Sequence, residues 1–307
     1  MVPYNETQMR QDFRKIGWAL VLSQLTMFFL SVLLSFIVSI LLRAFSPLRG
    51  TWSEMEGWIV MLSALGGALP MLRMGQERHL LDNMFERREK AWPVQVIFYF
   101  LMILGLQMLT SIVCAPVVHL LESVGASFDS ANNSATAYAV SASMLVYSVV
   151  VAPVVEELVY RGALLRALER YGRWFAIVIS ALIFGLMHGN AVQFPVAFVI
   201  GLAFGYLSLK YSLKLTIVLH VLNNLFVDLV GRISDFSESL GGMIDGSLML
   251  AGVLSIILMA LSGGKLLLRD IKNNRTPRGV YKWFFASMPV VAIFCYMIAL
   301  TIASIWV

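Results

Sequence analysis

The stretch IGWALVLSQLTMFFLSVLLSFIVSILL, Ile16 to Leu42, holds no charged residue and is apolar on every side of a helix. A helix rises about 1.5 Å per residue and the hydrocarbon core of a bilayer is about 30 Å thick, so this run is long enough to cross it. It is too long for the apolar part of a cleaved signal peptide and lacks the small-residue exit of one, so it reads as a retained anchor. Further apolar runs follow at roughly 57–74, 93–121, 139–158, 174–188, 194–209, 215–230, 247–268 and 284–306. Hydrophobic residues make up 59% of the chain and charged ones 13%, whereas a soluble domain of this size needs a solvated face on each element. The expected fold class is all-α, a polytopic transmembrane helix bundle of about eight or nine spans. The fifth, sixth and seventh runs are short, and short spans sit inside a bundle rather than in open lipid.

Basic residues set the expected orientation. With a cytosolic N-terminus, all of the 23 Lys and Arg residues except Arg43, Arg49 and Arg232 fall on the inner side, as basic residues favour the cytosolic face. The net charge of +5 is then a matter of topology, and no nucleic-acid partner is expected. Cys114 and Cys295 lie in apolar runs, where a thiol behaves as a small hydrophobe, so neither a disulfide framework nor a Cys metal site is indicated. The segment Glu122 to Tyr138 carries no Lys or Arg and reads as an exposed outer loop. Arg73 to Lys90 mixes both signs of charge with Leu80, Leu81, Met84 and Phe85, and reads as an interfacial or cytosolic helix. Three regions result: 1–138 with the N-terminal spans and the charged cytosolic loop, 139–230 as a core, and 231–307 with the C-terminal spans.

Ionisable groups inside a membrane segment cost a few kcal/mol each, so each needs a partner or a function. Glu156, Glu157 and Arg161 close the fourth run; His188 closes the fifth; His220 lies in the seventh with Asn224 one turn on. Glu157 and Arg161 are four apart and share a helix face as an ion pair. Glu156 points about 100° away, which leaves a carboxylate free to act as a general base. Pro153, one turn earlier, weakens the helix and frees backbone carbonyls to build a polar cavity. Phe184 and His188 share a face, as do His220 and Asn224. A carboxylate, two imidazoles and an amide around one cavity suit hydrolysis of an amide by water. Water is the expected nucleophile, because neither a Gly-x-Ser-x-Gly elbow nor a Cys with a nearby His is evident. Glycines 162, 172, 185, 189, 201 and 205 permit close helix contacts around this region.

Taken singly, a buried His is more often a helix-to-helix hydrogen-bonder, and Glu-Glu-x-x-x-Arg is often a juxtamembrane ion pair. Here all three clusters fall within positions 156 to 224, whereas His79 and His119 have no such company.

At these residues the chain resembles the CAAX-protease and bacteriocin-processing (Abi) family of intramembrane endopeptidases, which includes the type II CAAX prenyl endopeptidases. Glu156, Glu157 and Arg161 match its Glu-Glu-x-x-x-Arg motif, Phe184 and His188 its Phe-x-x-x-His, and His220 and Asn224 its His-x-x-x-Asn. The resemblance covers about 140 to 230 and makes 139–230 an Abi-type catalytic core. It implies that Glu156 is the general base, that His188 helps to activate water, and that His220 and Asn224 form the oxyanion site. Glu157, Arg161 and Phe184 would support them. It favours a mechanism without a cofactor, with zinc on Glu156, His188 and His220 as the alternative. The implied partners are membrane lipid and a peptide or protein substrate, lipidated or merely membrane-associated. Apart from the resemblance, a compact chain without targeting extensions leans prokaryotic, so the expected setting is a multi-pass protein of the bacterial cell membrane.

Two other classes use the same residues. A transporter would line a path with them, but no paired interrupted spans in matching halves are found. A non-catalytic immunity or scaffold protein would keep the fold and keep its phenotype without the Glu156 carboxylate. One strain attends the enzyme reading: simple parallel spans would leave His188 far from Glu156 and His220. The fifth helix must start below the membrane surface, tilt strongly, or follow a segment that dips, for which Leu164 to Arg173 is the candidate.

Overall fold

The computed structural model describes residues 5–44, 52–136 and 141–306, and among these it is all helix and turn, with no strand. We number eleven helices: α1 Glu6–Ala44, α2 Trp52–Glu77, α3 Pro93–Ser123, α4 Asp129–Thr136, α5 Ala142–Glu169, α6 Arg173–Leu186, α7 Gln193–Lys210, α8 Leu213–Phe236, α9 Glu238–Asn273, α10 Val280–Phe285 and α11 Met288–Ala303. Seven of these, α1, α2, α3, α5, α7, α8 and α9, are long and apolar enough to cross a membrane. The fifth and ninth expected runs become α6 and α11, apolar but only 14 and 16 residues long. Phe28, Phe29 and Phe36 of α1 are all more than half exposed, an outward apolar surface that suits lipid and not water. The chain is an integral membrane protein.

Long apolar helices gain little from burying apolar surface against one another in lipid, so close approach decides how they pack. Where α3 crosses α9, a Cβ built on either Gly105 or Gly252 collides with the backbone of the other. Backbone cannot yield as a flexible side chain can. Gly252→Val is therefore expected to cost about 1–3 kcal/mol of stability, read as earlier thermal unfolding in detergent; an unchanged transition would show that this crossing is not close-packed. Gly201 and Gly205 bring α7 near α6 less tightly, a Cβ built at Gly201 standing 3.0 Å from Ala181 Cβ and one at Gly205 3.3 Å from the Ile177 side chain.

Two expectations are corrected. The Glu122 to Tyr138 segment is not all loop: Asp129–Thr136 is helical, Phe128 and Ala131 are buried, and residues 137–140 lie outside the described ones. Arg73 to Lys90 is not one helix, because α2 ends at Glu77 and His79 takes a left-handed φ of 55°, which breaks a helix. Its charges reach across the fold instead. Arg78 pairs with Asp12 at 3.0 Å, and Arg88 pairs with Glu169 at 3.1 Å while its N–H donates to the Tyr211 carbonyl at 2.8 Å. Arg173 Nε lies 3.6 Å from Asp270, and the Arg10 guanidinium lies 3.7 Å over the Trp283 ring. These contacts tie the five expected inner segments together at one end of the bundle.

Leu164 to Arg173 does not dip as a separate amphipathic piece. It continues α5 inward through Leu164, Leu165 and Leu168, all fully buried, and turns at Gly172, whose φ of 144° suits glycine. Asp12 anchors that turn by binding Arg170 and the Tyr171 hydroxyl. Burial, with that hydrogen bond second, pushes the Tyr171 hydroxyl up to about 12, so it stays a donor.

Candidate active site

The site is built on α5, and α5 is held at its N-terminus by α2. The Glu54 carboxylate accepts from the N–H groups of Ala142 and Ser143, each at 3.2 Å, and the Ser141 side chain accepts from Met144 N–H. A carboxylate there satisfies otherwise orphaned donors and complements the helix dipole.

Two π-helical stretches, Tyr147–Val151 and Glu157–Leu164, bracket a short α segment carrying Pro153 and Glu156. In the first, Ala152 N–H donates to the Tyr147 carbonyl, five residues back. The next carbonyl in that register, Ser148, would need the N–H of residue 153, which is proline and has none. The Asn224 amide of α8 takes the place, its Nδ2 donating to the Ser148 carbonyl at 2.8 Å. The carbonyl expected to be released by Pro153 is thus filled from the helix that carries His220.

Glu157 is fully buried, with Arg161 Nη1 2.9 Å from its Oε1. The guanidinium lies 4.2 Å over the Phe184 ring and 5.4 Å from that of Phe204, a stacking that suits a desolvated Arg. His220 stands between the two glutamates. Its Nδ1 is 3.1 Å from Glu157 Oε1 and its Nε2 is 3.7 Å from Glu156 Oε2. The Glu157 carboxylate can only accept, so Nδ1–H donates and Nε2 is left to face Glu156.

His188 follows the end of α6 and is exposed rather than enclosed by helices. Its Nδ1 lies 2.9 Å from the Phe184 carbonyl, again an acceptor alone, so Nδ1 carries the proton and Nε2 presents a lone pair. The Phe184 ring joins the two imidazoles, its centroid 5.2 Å from His188 and 6.0 Å from His220, both edge-on.

Glu156 and His188 open onto one cavity of about 240 Å³. Tyr147, Tyr160 and Phe184 share its wall, and the opposite wall comes from α1 and α2. The chamber is therefore not confined to 139–230. His220 lies behind Glu156 and Asn224 lies one turn further on; neither lines the cavity. Asn224 is not hydrogen-bonded to His220 and instead extends a row of amides, accepting from Asn223 at 3.4 Å, which accepts from Gln107 at 2.6 Å. Among the described residues no three His, Cys, Asp or Glu gather closely enough to hold a metal. Glu156, His188 and His220 do not converge as a zinc ligand set here.

Sequence reading missed Tyr147, Tyr160, Gln107 and the α1 wall. Tyr160 follows Glu156 by four residues and so shares its face, and Gln107 is a lone amide in an apolar run; both signals were present. No curated protein and no solved structure matches the chain. Residues 138–226, the stretch that contains all three motifs, match the family model described as Type II CAAX prenyl endopeptidase Rce1-like, and over that stretch the chain is similar to a family of membrane-embedded CAAX proteases.

Proposed function

We propose that the chain is an intramembrane endopeptidase that hydrolyses a peptide bond in a membrane-associated or lipidated substrate, using water activated by Glu156. The observation that carries this reading is the geometry around Glu156: one side opens with His188 onto a cavity, and the other faces His220, itself held by a buried Glu157–Arg161 pair. In the proposed reaction Glu156 removes a proton from water as its oxygen attacks the scissile carbonyl. The Nε2 lone pair of His188 accepts the water's second hydrogen and so orients the attack. The oxyanion role proposed for His220 calls for its doubly protonated form, in which Nε2–H donates while Glu157 balances the charge on the ring. It and the amide hydrogen of Asn224 not spent on Ser148 would reach the oxyanion once a bound substrate extends the cavity past Glu156. Glu156 then delivers its proton to the departing amine, which balances the step. The basic end of the bundle would face the cytosol, with the N-terminus on that side.

Purified protein in lipid vesicles, incubated with lipidated and unlipidated peptides and analysed by mass, tests this. His188→Ala and His220→Ala are each expected to lower product formation by roughly 10²-fold or more while thermal unfolding stays cooperative. Wild-type rates in both would refute the assigned roles.

A further inference from the structure

Across the cavity from Glu156 and His188, the wall made by α1 and α2 is apolar except at two adjacent positions, Ser23 and Gln24. Leu20, Ser23, Gln24 and Met27 recur at three- and four-residue spacing, so a single face of α1 lines the chamber. Ser23 is 7% exposed, and its Oγ has no hydrogen-bond partner among the described residues. That is unusual. A serine within a helix ordinarily returns its hydroxyl to a carbonyl one turn back, as Ser63 does to Ile59 at 2.7 Å. Gly67 lets α2 close on this part of α1, since a Cβ there would stand 2.8 Å from Met27 Cβ and 3.1 Å from the Ser23 carbonyl. Ser23 lies about 12 Å along α1 from Lys15, and His220 about 9 Å along α8 from Lys214. With those lysines at the same end of the bundle, the two polar walls stand at similar depth.

We propose that Ser23 and Gln24 form the substrate-binding wall of the site, pairing with main-chain N–H and C=O groups of an extended peptide whose apolar side chain occupies the chamber. This rests on the endopeptidase reading and adds the specificity surface to it. A peptide bond brought into an apolar chamber keeps its need for hydrogen bonds, and an amide beside a hydroxyl supplies both donors and acceptors. The volume of about 240 Å³ lies below the roughly 300–1,000 Å³ of clefts that enclose a drug-sized ligand, so it takes a short segment beside the scissile bond. Met27, Met71 and Met187 in the lining adapt to apolar side chains of differing shape.

The test uses the full-length protein in vesicles and peptides in which single main-chain N–H groups, away from the scissile bond, are replaced by ester oxygen. Ser23→Ala and Gln24→Ala are each expected to raise KM about 10-fold with kcat held near wild type, the signature of lost uniform binding. One ester position should weaken the wild type and add no further loss in Gln24→Ala, a coupling that a merely structural role would not produce. Gln24 is only partly buried, so its variant remains informative if Ser23→Ala misfolds. Ala64→Phe, which narrows the chamber, should keep cleavage of peptides with a small side chain at that position and lose it for bulky ones. Unchanged KM in both alanine variants, or the same ester loss in variant and wild type at every position, overturns the proposal and leaves the endopeptidase reading standing. Absence of any Glu156-dependent product from the wild type overturns both.

Discussion

Glu156→Gln is expected to lower peptide cleavage by roughly 10³-fold or more while leaving the fold intact. The amide keeps the shape of the carboxylate and can still meet His220 Nε2, which lies 3.7 Å from Glu156 Oε2 in the parent chain. What it loses is the ability to take a proton from water and return one to the leaving nitrogen. The side chain is 29% exposed and opens on the cavity, so the substitution empties no core and buries no new unpaired group. Single-turnover product formation, followed by mass, and thermal unfolding in detergent measure the two halves of the expectation. Wild-type turnover by the glutamine variant would remove the general base from the mechanism, and wild-type turnover in His188→Ala and His220→Ala as well would leave a transporter or scaffold as the better account.

Arg161→Met is expected to be the most damaging single change to stability, about 3–5 kcal/mol, because it leaves the Glu157 carboxylate buried without its cation. Glu157 is 0% and Arg161 1% exposed. No other acceptor among the described residues meets the Arg161 guanidinium, and Glu157 Oε2 has no hydrogen-bond partner either. The double variant Glu157→Met with Arg161→Met should regain much of the lost stability, since a buried ion pair gains little over packed apolar groups. It should not regain activity, because His220 Nδ1 then has no carboxylate to hold it. A double variant as unstable as the single one would show that the pair is not the main consequence of the change; a double variant that cleaves normally would show that His220 needs no anchor.

Local periodicity made part of this site legible in advance. Glu157 and Arg161, or Phe184 and His188, lie four residues apart, and helical geometry alone puts them on one face. The apolar runs likewise mark where helices lie, because a long uncharged stretch has few other solutions in a membrane protein. Longer-range facts were out of reach. His220 and Glu157 are 63 positions apart, and only the packing of α8 on α5 brings Nδ1 to the carboxylate. Ser23 and Gln24 sit in a run that reads as plain anchor, since lipid-facing and cavity-facing positions have similar composition when the cavity is itself apolar. The Arg73 to Lys90 segment misled for a related reason: interleaved charges suggest neighbours along a helix, yet Arg78 and Arg88 find Asp12 and Glu169 in distant segments. Asp129–Thr136 is polar, short and helical, and length-based reading of apolar runs passes over such a piece.

The proline in α5 has an outcome beyond weakening one turn. A carbonyl that the covalent chain deprives of its donor cannot be satisfied by any change of rotamer nearby, and in hydrocarbon no solvent molecule stands ready to serve it. Sliding the His220 helix by one turn, about 5.4 Å, would strand that oxygen and the amide now joined to it in the same movement. The junction therefore acts as a key between two helices, permitting one vertical alignment and penalising its neighbours, and imidazole and carboxylate meet at matching height because of a bond that touches neither.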